Sequence, residues 1–229
     1  MNRRLSALDN ITLISNSDSH SLQRIGREAN VFETDLSYAG IMDAIKDSRT
    51  NADDTQNDAE KIPRKSAFSP RDSAGRLLAT VEFFPEEGKY HYDGHRACGV
   101  VMTPAESKKL NDLCPKCGKK MTIGVVYRVD QLADKKRPEG YRNLKRVPYK
   151  NLVTLDSIIG EALDKGRATK TVMKEYVKLI KAFNSEFSVL QNTPIKEISS
   201  VTNDRIAEGI KRMREGKLKI EPCYDGEFG

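Results

Sequence analysis

The chain contains no tryptophan, and aromatic residues make up only 7% of its 229 positions, against 31% charged. With so few large apolar groups, the sequence implies a modest core, one or two domains and a heavily solvated surface. It also lacks any apolar run of the roughly 20 residues that a membrane-crossing helix requires. The N-terminal Met1-Asn-Arg-Arg-Leu-Ser-Ala-Leu-Asp9 has no apolar stretch of the kind that marks a secretory signal. The expectation is a cytoplasmic chain with no membrane partner, whose thiols stay reduced and available to a metal.

Histidine and cysteine are scarce, at three and four residues, so their clustering is informative. Three of the cysteines and one histidine fall in a single frame: His95-Arg-Ala-Cys98, then fifteen residues, then Cys114-Pro-Lys-Cys117-Gly. The short gap within each pair lets both side chains turn toward one ion, and this spacing is that of a structural zinc site. Pro115 restricts the backbone at the second turn, and Gly118 supplies the permissive φ that closes it. Four protein ligands complete a tetrahedron, so His95, Cys98, Cys114 and Cys117 predict a structural zinc ion, with His91 as a reserve ligand. Unrelated buried thiols beside a hydrogen-bonded histidine are the weaker alternative. Cys223 stands outside the frame.

Charge is unevenly placed. Residues 75–150 carry 16 basic and 9 acidic side chains, while 1–47 carry 5 and 7, 48–74 carry 5 and 5, and 151–229 carry 13 and 12. The whole of the net +6 therefore coincides with the cysteine frame. Lys119, Lys120, Lys135 and Lys136, with Lys108, Lys109, Lys116, Arg128, Arg137, Arg142, Lys145 and Arg146, fit a phosphate-facing surface. An ordinary solvated face is the competing reading, and the same choice applies to Lys170, Lys174, Lys178 and Lys181.

Along the chain, Ile11–Ile14 reads as a short strand that ends in polar residues. On an extended strand end Asp18 and His20 would point to one side, as two ligands of one metal cluster must; an Asp/Ser turn is the alternative. Residues 36–47, with Leu36, Ala39, Ile41 and Ile45, read as a helix. From 48 to 74 the chain is polar and low in large apolar groups, the signature of a disordered insertion. Strands are predicted at Arg76–Phe84, near Lys89–Tyr92 and at Met121–Val129, framing the cysteines as a small zinc ribbon. After Pro148 the apolar period becomes helical: Leu155, Ile158, Ile159 and Leu163; then Val172, Met173, Tyr176, Leu179, Ile180 and Phe183; then, behind an Asn203 cap, Ile206, Ile210 and Met213.

Five blocks, taken in order, resemble the back half of endonuclease Q: Ile14-Ser-Asn-Ser-Asp18-Ser-His20-Ser, Arg24-Ile-Gly-Arg27-Glu-Ala-Asn30-Val-Phe, Thr80 through Arg96, Leu113-Cys-Pro-Lys-Cys-Gly, and Gly124 through Asp134. That family comprises DNA-repair nucleases that nick 5′ to deaminated bases such as uracil or hypoxanthine, or to abasic sites. The resemblance implies an α+β chain in four parts: a remnant of a PHP-type β/α barrel (1–47), the insertion (48–74), a zinc-binding basic domain (75–150) and a helical DNA-binding region (151–229). It assigns Asp18 and His20 to the last metal-ligand motif of the barrel, the site of Mg²⁺, Mn²⁺ or Zn²⁺ in a completed enzyme.

The earlier barrel ligands do not occur in this sequence, and one Asp with one His cannot hold a multinuclear site. Hydrolysis is therefore expected to need a missing half, for example a separate barrel-containing chain. Lys89-Tyr90-His91-Tyr92 is the candidate base pocket, where stacking and polar edges would read an extruded lesion; ribbon packing is the plainer alternative. Two other classes stay open. One is a non-enzymatic zinc-ribbon nucleic-acid adaptor, and the other an interaction module such as a sliding-clamp accessory, although no convincing clamp-binding peptide lies near the C-terminus.

Overall fold

The computed structural model describes residues 1–22, 25–47, 75–138, 140–141 and 146–227. The insertion expected at 48–74 lies outside these residues, as do Arg24, Arg142 and Lys145. The chain is a mixed α+β structure that divides into two compact units, one formed by Met1–Lys150 together with the segment from Glu221 onward, the other by Asn151–Ile220. In the first unit the elements run β1 (Ala29–Glu33), α1 (Tyr38–Asp47), β2 (Arg76–Glu82), β3 (Asp93–His95), β4 (Val100–Met102), α2 (Pro104–Lys109) and α3 (Val125–Leu132), with β5 (Tyr149–Asn151) at its boundary.

Strands β1, β2 and β5 form one sheet in that order. β1 runs antiparallel to β2, from Ala29 opposite Val81 to Glu33 opposite Arg76, with a register shift at Val31/Phe32. Alternation along β2 turns Leu77, Ala79 and Val81 inward, where Ala44 of α1 is also buried. The strand expected at Ile11–Ile14 does not form. Its place is taken by an extended segment whose Ser15 N–H and C=O are both held by the Asn30 side-chain amide, at 2.9 and 2.8 Å. An amide side chain thus substitutes for a partner strand, and Ile11 and Ile14 stay exposed. Helix α1 starts later than the apolar pattern predicts, leaving Leu36 outside it and fully solvated.

Two further expectations are corrected. Lys89–Tyr92 is a turn with one isolated bridge, and the strand begins only at Asp93. The strand predicted at Met121–Val129 does not form either; its second half lies in helix α3. Its β-branched residues favour a strand locally, but the donors at its start find remote acceptors. Gly124 N–H donates to Asp93 Oδ1 at 2.6 Å, Val125 N–H to the Tyr90 carbonyl at 2.7 Å, and Val126 N–H to the His91 carbonyl at 3.1 Å. Tertiary contacts override the local preference.

The second unit holds α4 (Leu155–Leu163), α5 (Lys170–Phe183), a π-helical turn at Ser188–Asn192, α6 (Ile195–Val201) and α7 (Asp204–Arg214). Its core joins Leu155, Ile158, Ile159, Val172, Leu179, Val189, Ile198, Ile206 and Ile210. Met173, expected in the apolar stripe, is partly exposed: one residue past Val172 on a helix turns it about 100° away from the core. Asn203 caps α7 through Ile206 N–H at 2.9 Å. Glu186 does similar work at α4, accepting from Leu155 N–H at 2.7 Å while its second oxygen takes the Tyr176 hydroxyl at 2.9 Å. Helix α6 and the π turn were not foreseen. Among the described residues, no helix is long and apolar enough to cross a membrane.

Gly124 is a test of how α3 is seated. A Cβ there would lie 2.6 Å from the carbonyl oxygens of both His91 and Tyr92, so backbone must move. Gly124→Ala is expected to destabilise the first unit by about 1–3 kcal/mol. All tyrosines except Tyr176 lie in that unit, so denaturant unfolding followed by tyrosine near-UV signal reports on it. Unchanged unfolding would show that α3 is not held this way.

Candidate metal centre

Two turns carry the cysteine frame. The first sits on the antiparallel β3–β4 hairpin, where His95 pairs with Val100. Between them Arg96–Cys98 forms a 3₁₀ turn, and Gly99 at φ 58° lets the chain reverse. The second is closed by Cys114 N–H to the Lys119 carbonyl at 2.8 Å and Gly118 N–H to the Cys114 carbonyl at 2.8 Å, with Gly118 at φ 71°. Each turn puts a pair of side chains on one side of the backbone.

The result is a cluster. One ligand atom from each of His95, Cys98, Cys114 and Cys117 lies within 4.8 Å of all the others, and His95 Nδ1 is 3.4 Å from Cys117 Sγ. A tetrahedron with metal–sulfur bonds of about 2.3 Å has edges of roughly 3.8 Å, so the group needs little rearrangement to surround an ion such as zinc. Three thiols and an imidazole are a soft donor set, and all four cysteines of the chain are unbridged. Among the described residues no other group of three or more such side chains converges.

The thiols are electrostatically unequal. Burial pushes Cys114 up, but the N–H groups of Lys116 and Cys117, with the side chains of His95 and Cys117, bring it down to about 6. Cys98 is pushed up to about 11, first by its hydrogen bond with Cys117 and then by burial and Cys114. Lys116 Nζ donates to the Cys98 carbonyl at 2.7 Å, bracing one turn against the other.

His91 does not join the cluster. It is buried, with Nδ1 against the Pro85 carbonyl at 2.9 Å and its ring edge-on to Tyr92. Lys89 and Tyr90, beside it, are exposed, while Tyr92 is half-buried. Asp18 and His20 are exposed as well, and the strand-end geometry expected for them is absent: Asp18 sits at φ 44°, and His20 Nδ1 lies 2.8 Å from the Asp18 backbone carbonyl.

The basic segment is partly neutralised inside the first unit. Arg137 and Arg146 both pair with Asp9, and Lys108 and Arg4 both pair with Asp130. Lys119, Lys120, Lys135 and Lys136 remain exposed.

Sequence reasoning missed two contributors. Asp93, wholly buried, holds the Gly124 N–H; its only signal was an acid between tyrosine and glycine in Tyr92-Asp93-Gly94. Asp225 Oδ2 accepts the Arg96 N–H at 2.6 Å, inside the first turn, from 129 residues away. Burial pushes the Asp225 carboxyl up, but hydrogen bonds from the Arg96 N–H and the Thr122 side chain, with the charges of Arg96 and His95, hold it below the usual range.

The family model of the MJ0043 C-terminal domain matches residues 154–217. Protein MJ0043 of Methanocaldococcus jannaschii is 32% identical over 226 residues, which cover 97% of this chain and 25% of that protein. YqxK of Bacillus subtilis is 26% identical over 231 residues, 100% of this chain and 49% of its own length. Among solved structures, the lesion-specific endonuclease PfuEndoQ of Pyrococcus furiosus superposes with a TM-score of 0.77 at 30% identity, over 99% of this chain and 50% of that one. An endonuclease Q complexed with a 27-mer duplex substrate that carries an abasic lesion at the active site gives 0.74 at 30% identity, over 99% and 51%. The resemblance to endonuclease Q read in the sequence thus extends to the fold, while this chain spans about half the length of these structures, or less of its relatives.

Loading the cluster must displace the Cys98 proton, because a thiol pushed up to about 11 is protonated near neutrality. Zinc uptake is therefore expected to release protons at pH 7 and to weaken as pH falls. Calorimetric titration with Zn²⁺ in buffers of different ionisation enthalpy measures this directly. A binding enthalpy independent of buffer, with the thiols still reactive afterwards, would exclude the four residues as ligands.

Proposed function

We propose that this chain is an endonuclease-Q-like DNA-repair protein, in which a zinc-ordered basic module and a helical region recognise lesion-bearing duplex DNA. The single observation that carries the reading is the likeness, across 99% of the chain and at 30% identity, to an endonuclease Q bound to abasic duplex DNA. In this reading 1–47 is a remnant of the PHP-type barrel, 75–150 the zinc ribbon with His95, Cys98, Cys114 and Cys117 as ligands, and 151–229 the helical DNA-binding region. The zinc is structural: it fixes the turns and takes no part in hydrolysis.

Affinity would come chiefly from Lys119, Lys120, Lys135 and Lys136, whose ammonium groups displace counterions from phosphates. Exposed Tyr90, with Lys89 beside it, offers a ring and a charge to an extruded base; His91 and Tyr92 would shape that turn from beneath. Asp18 and His20 would serve a divalent metal, Mg²⁺, Mn²⁺ or Zn²⁺, only when other barrel ligands complete the cluster, for instance from a separate chain. Their exposure here and their separation from any third ligand among the described residues support that dependence.

The test has two arms. Charge reversal at the four lysines should flatten the dependence of log K on log salt for abasic duplex, by about 0.9 for each phosphate no longer neutralised. An unchanged slope would assign these lysines to a solvated face. In a strand-nicking assay on uracil, hypoxanthine and abasic duplexes with added divalent metal, the 229-residue chain alone should not cut. Adding a chain with the remaining barrel ligands should restore nicking 5′ to the lesion, and Asp18→Ala should abolish it with DNA affinity retained. Specific cleavage by the chain alone, lost in Asp18→Ala, would overturn the proposed dependence.

A further inference from the structure

The match to the C-terminal domain ends at residue 217, and the helical unit itself ends at Ile220. From Glu221 the chain returns to the first unit and lies against the residues that lead into the metal cluster. Cys223 N–H donates to the Glu86 carbonyl at 2.9 Å, Tyr92 N–H to the Cys223 carbonyl at 3.2 Å, and Gly226 N–H to the Lys89 carbonyl at 2.9 Å. These bonds lay Tyr224 beside Tyr92 as a short parallel bridge.

Two side chains then reach the first turn itself. The Tyr224 ring sits on Gly94, the residue before His95, so closely that a Cβ on Gly94 would run into it. Asp225, at φ 43°, turns its carboxylate back so that Oδ2 takes the Arg96 N–H at 2.6 Å, between His95 and Cys98. Arg96 adds an ion pair to Glu227 at 3.6 Å. The β3–β4 hairpin holds the turn from one side through three paired positions; the tail holds it from the other.

We infer that the C-terminal return Cys223–Glu227 is a positioning element of the metal centre, with Tyr224 and Asp225 fixing the His95–Cys98 turn at the spacing that the ion requires. The inference rests on the reading that the four-residue cluster binds a metal. A turn of four residues left free would sample many orientations of its imidazole and thiol, and ordering them on binding would cost affinity. Outer groups that orient metal ligands typically account for 10–100-fold in metal affinity when removed. Coupling is reciprocal, so the ion also stabilises the tail.

The experiment uses the full chain. Zn²⁺ affinity is measured by competition with a chromophoric chelator, and ligand geometry by the visible spectrum of the Co²⁺ form. Asp225→Ala is expected to bind Zn²⁺ about tenfold or more weakly, with altered Co²⁺ bands. Asp225→Asn keeps an acceptor oxygen and should recover most of that loss. In the wild-type chain, which needs no substitution to fold, hydrogen exchange at the Cys223 and Gly226 amides should slow on adding Zn²⁺. Wild-type affinity and spectrum in Asp225→Ala, or tail amides indifferent to Zn²⁺, would overturn the inference while leaving the metal reading intact. A wild-type chain that takes up no Zn²⁺ would overturn both.

Discussion

The Asp93 carboxylate, wholly buried, accepts the Gly124 N–H at 2.6 Å and so joins the strand that carries His95 to the helix that follows Cys117. A buried anion is costly unless it is hydrogen-bonded, and only one oxygen of Asp93 finds a protein donor. Its position at the start of α3 offsets part of that cost, since the partial positive charge of the helix N-terminus faces it. With Asp93 fixed, its backbone partner Met102 sets the register of the hairpin, and two residues later His95 emerges on the side of the cluster. The contact thus ties the strand that leads into the first turn to the helix that follows the second.

Charge is arranged by the same long-range logic. Arg137 and Arg146, which the sequence places in a basic stretch, are matched by Asp9 from the opposite end of the unit. Asp130 lies between Arg4 and Lys108 and is held below the usual carboxylate range by hydrogen bonds from both. The first residues therefore act as a strap: Arg4 also donates to the Arg137 carbonyl, and Ser6 N–H to Asp134. What remains solvated is a smaller set of lysines near the second turn and after α3.

The parts legible in the sequence are those whose causes are local. The His/Cys and Cys/Cys pairs with two residues between them, the glycine that ends the second turn, the 3.6-residue apolar period of α4, α5 and α7 and the Asn203 cap all depend on neighbours within a few positions. Illegible were the elements decided at a distance. Asn30 replaces a strand partner for Ser15, three acceptors from 90–93 make a helix of Val125–Leu132, and Asp225 reaches the first turn from the far end of the chain. In each case a polar side chain or a stray carbonyl satisfies backbone groups that local propensity would have paired otherwise. Charge counting overstates the solvated set for the same reason: it adds Lys108, Arg137 and Arg146 without knowing that Asp130 and Asp9 have taken them.

The two units also differ in what keeps them folded. The helical unit has a self-contained apolar core in which Leu155, Ile159, Val172, Leu179, Ile198, Ile206 and Ile210 lose essentially all solvent contact. Around the cysteine turns the buried apolar cluster is only Val100, Cys114 and Met121, with Cys98 and Met102 packed against it. So small a cluster cannot offset the entropy of fixing two loops and a hairpin, which is why such modules draw their order from a metal or from tethers. Here the tether is polar and backbone-based: Asp93 at one seam, the Tyr224–Asp225 return at the other. Both act on β3, and β3 carries His95, so loss of either tether would fall first on that member of the cluster.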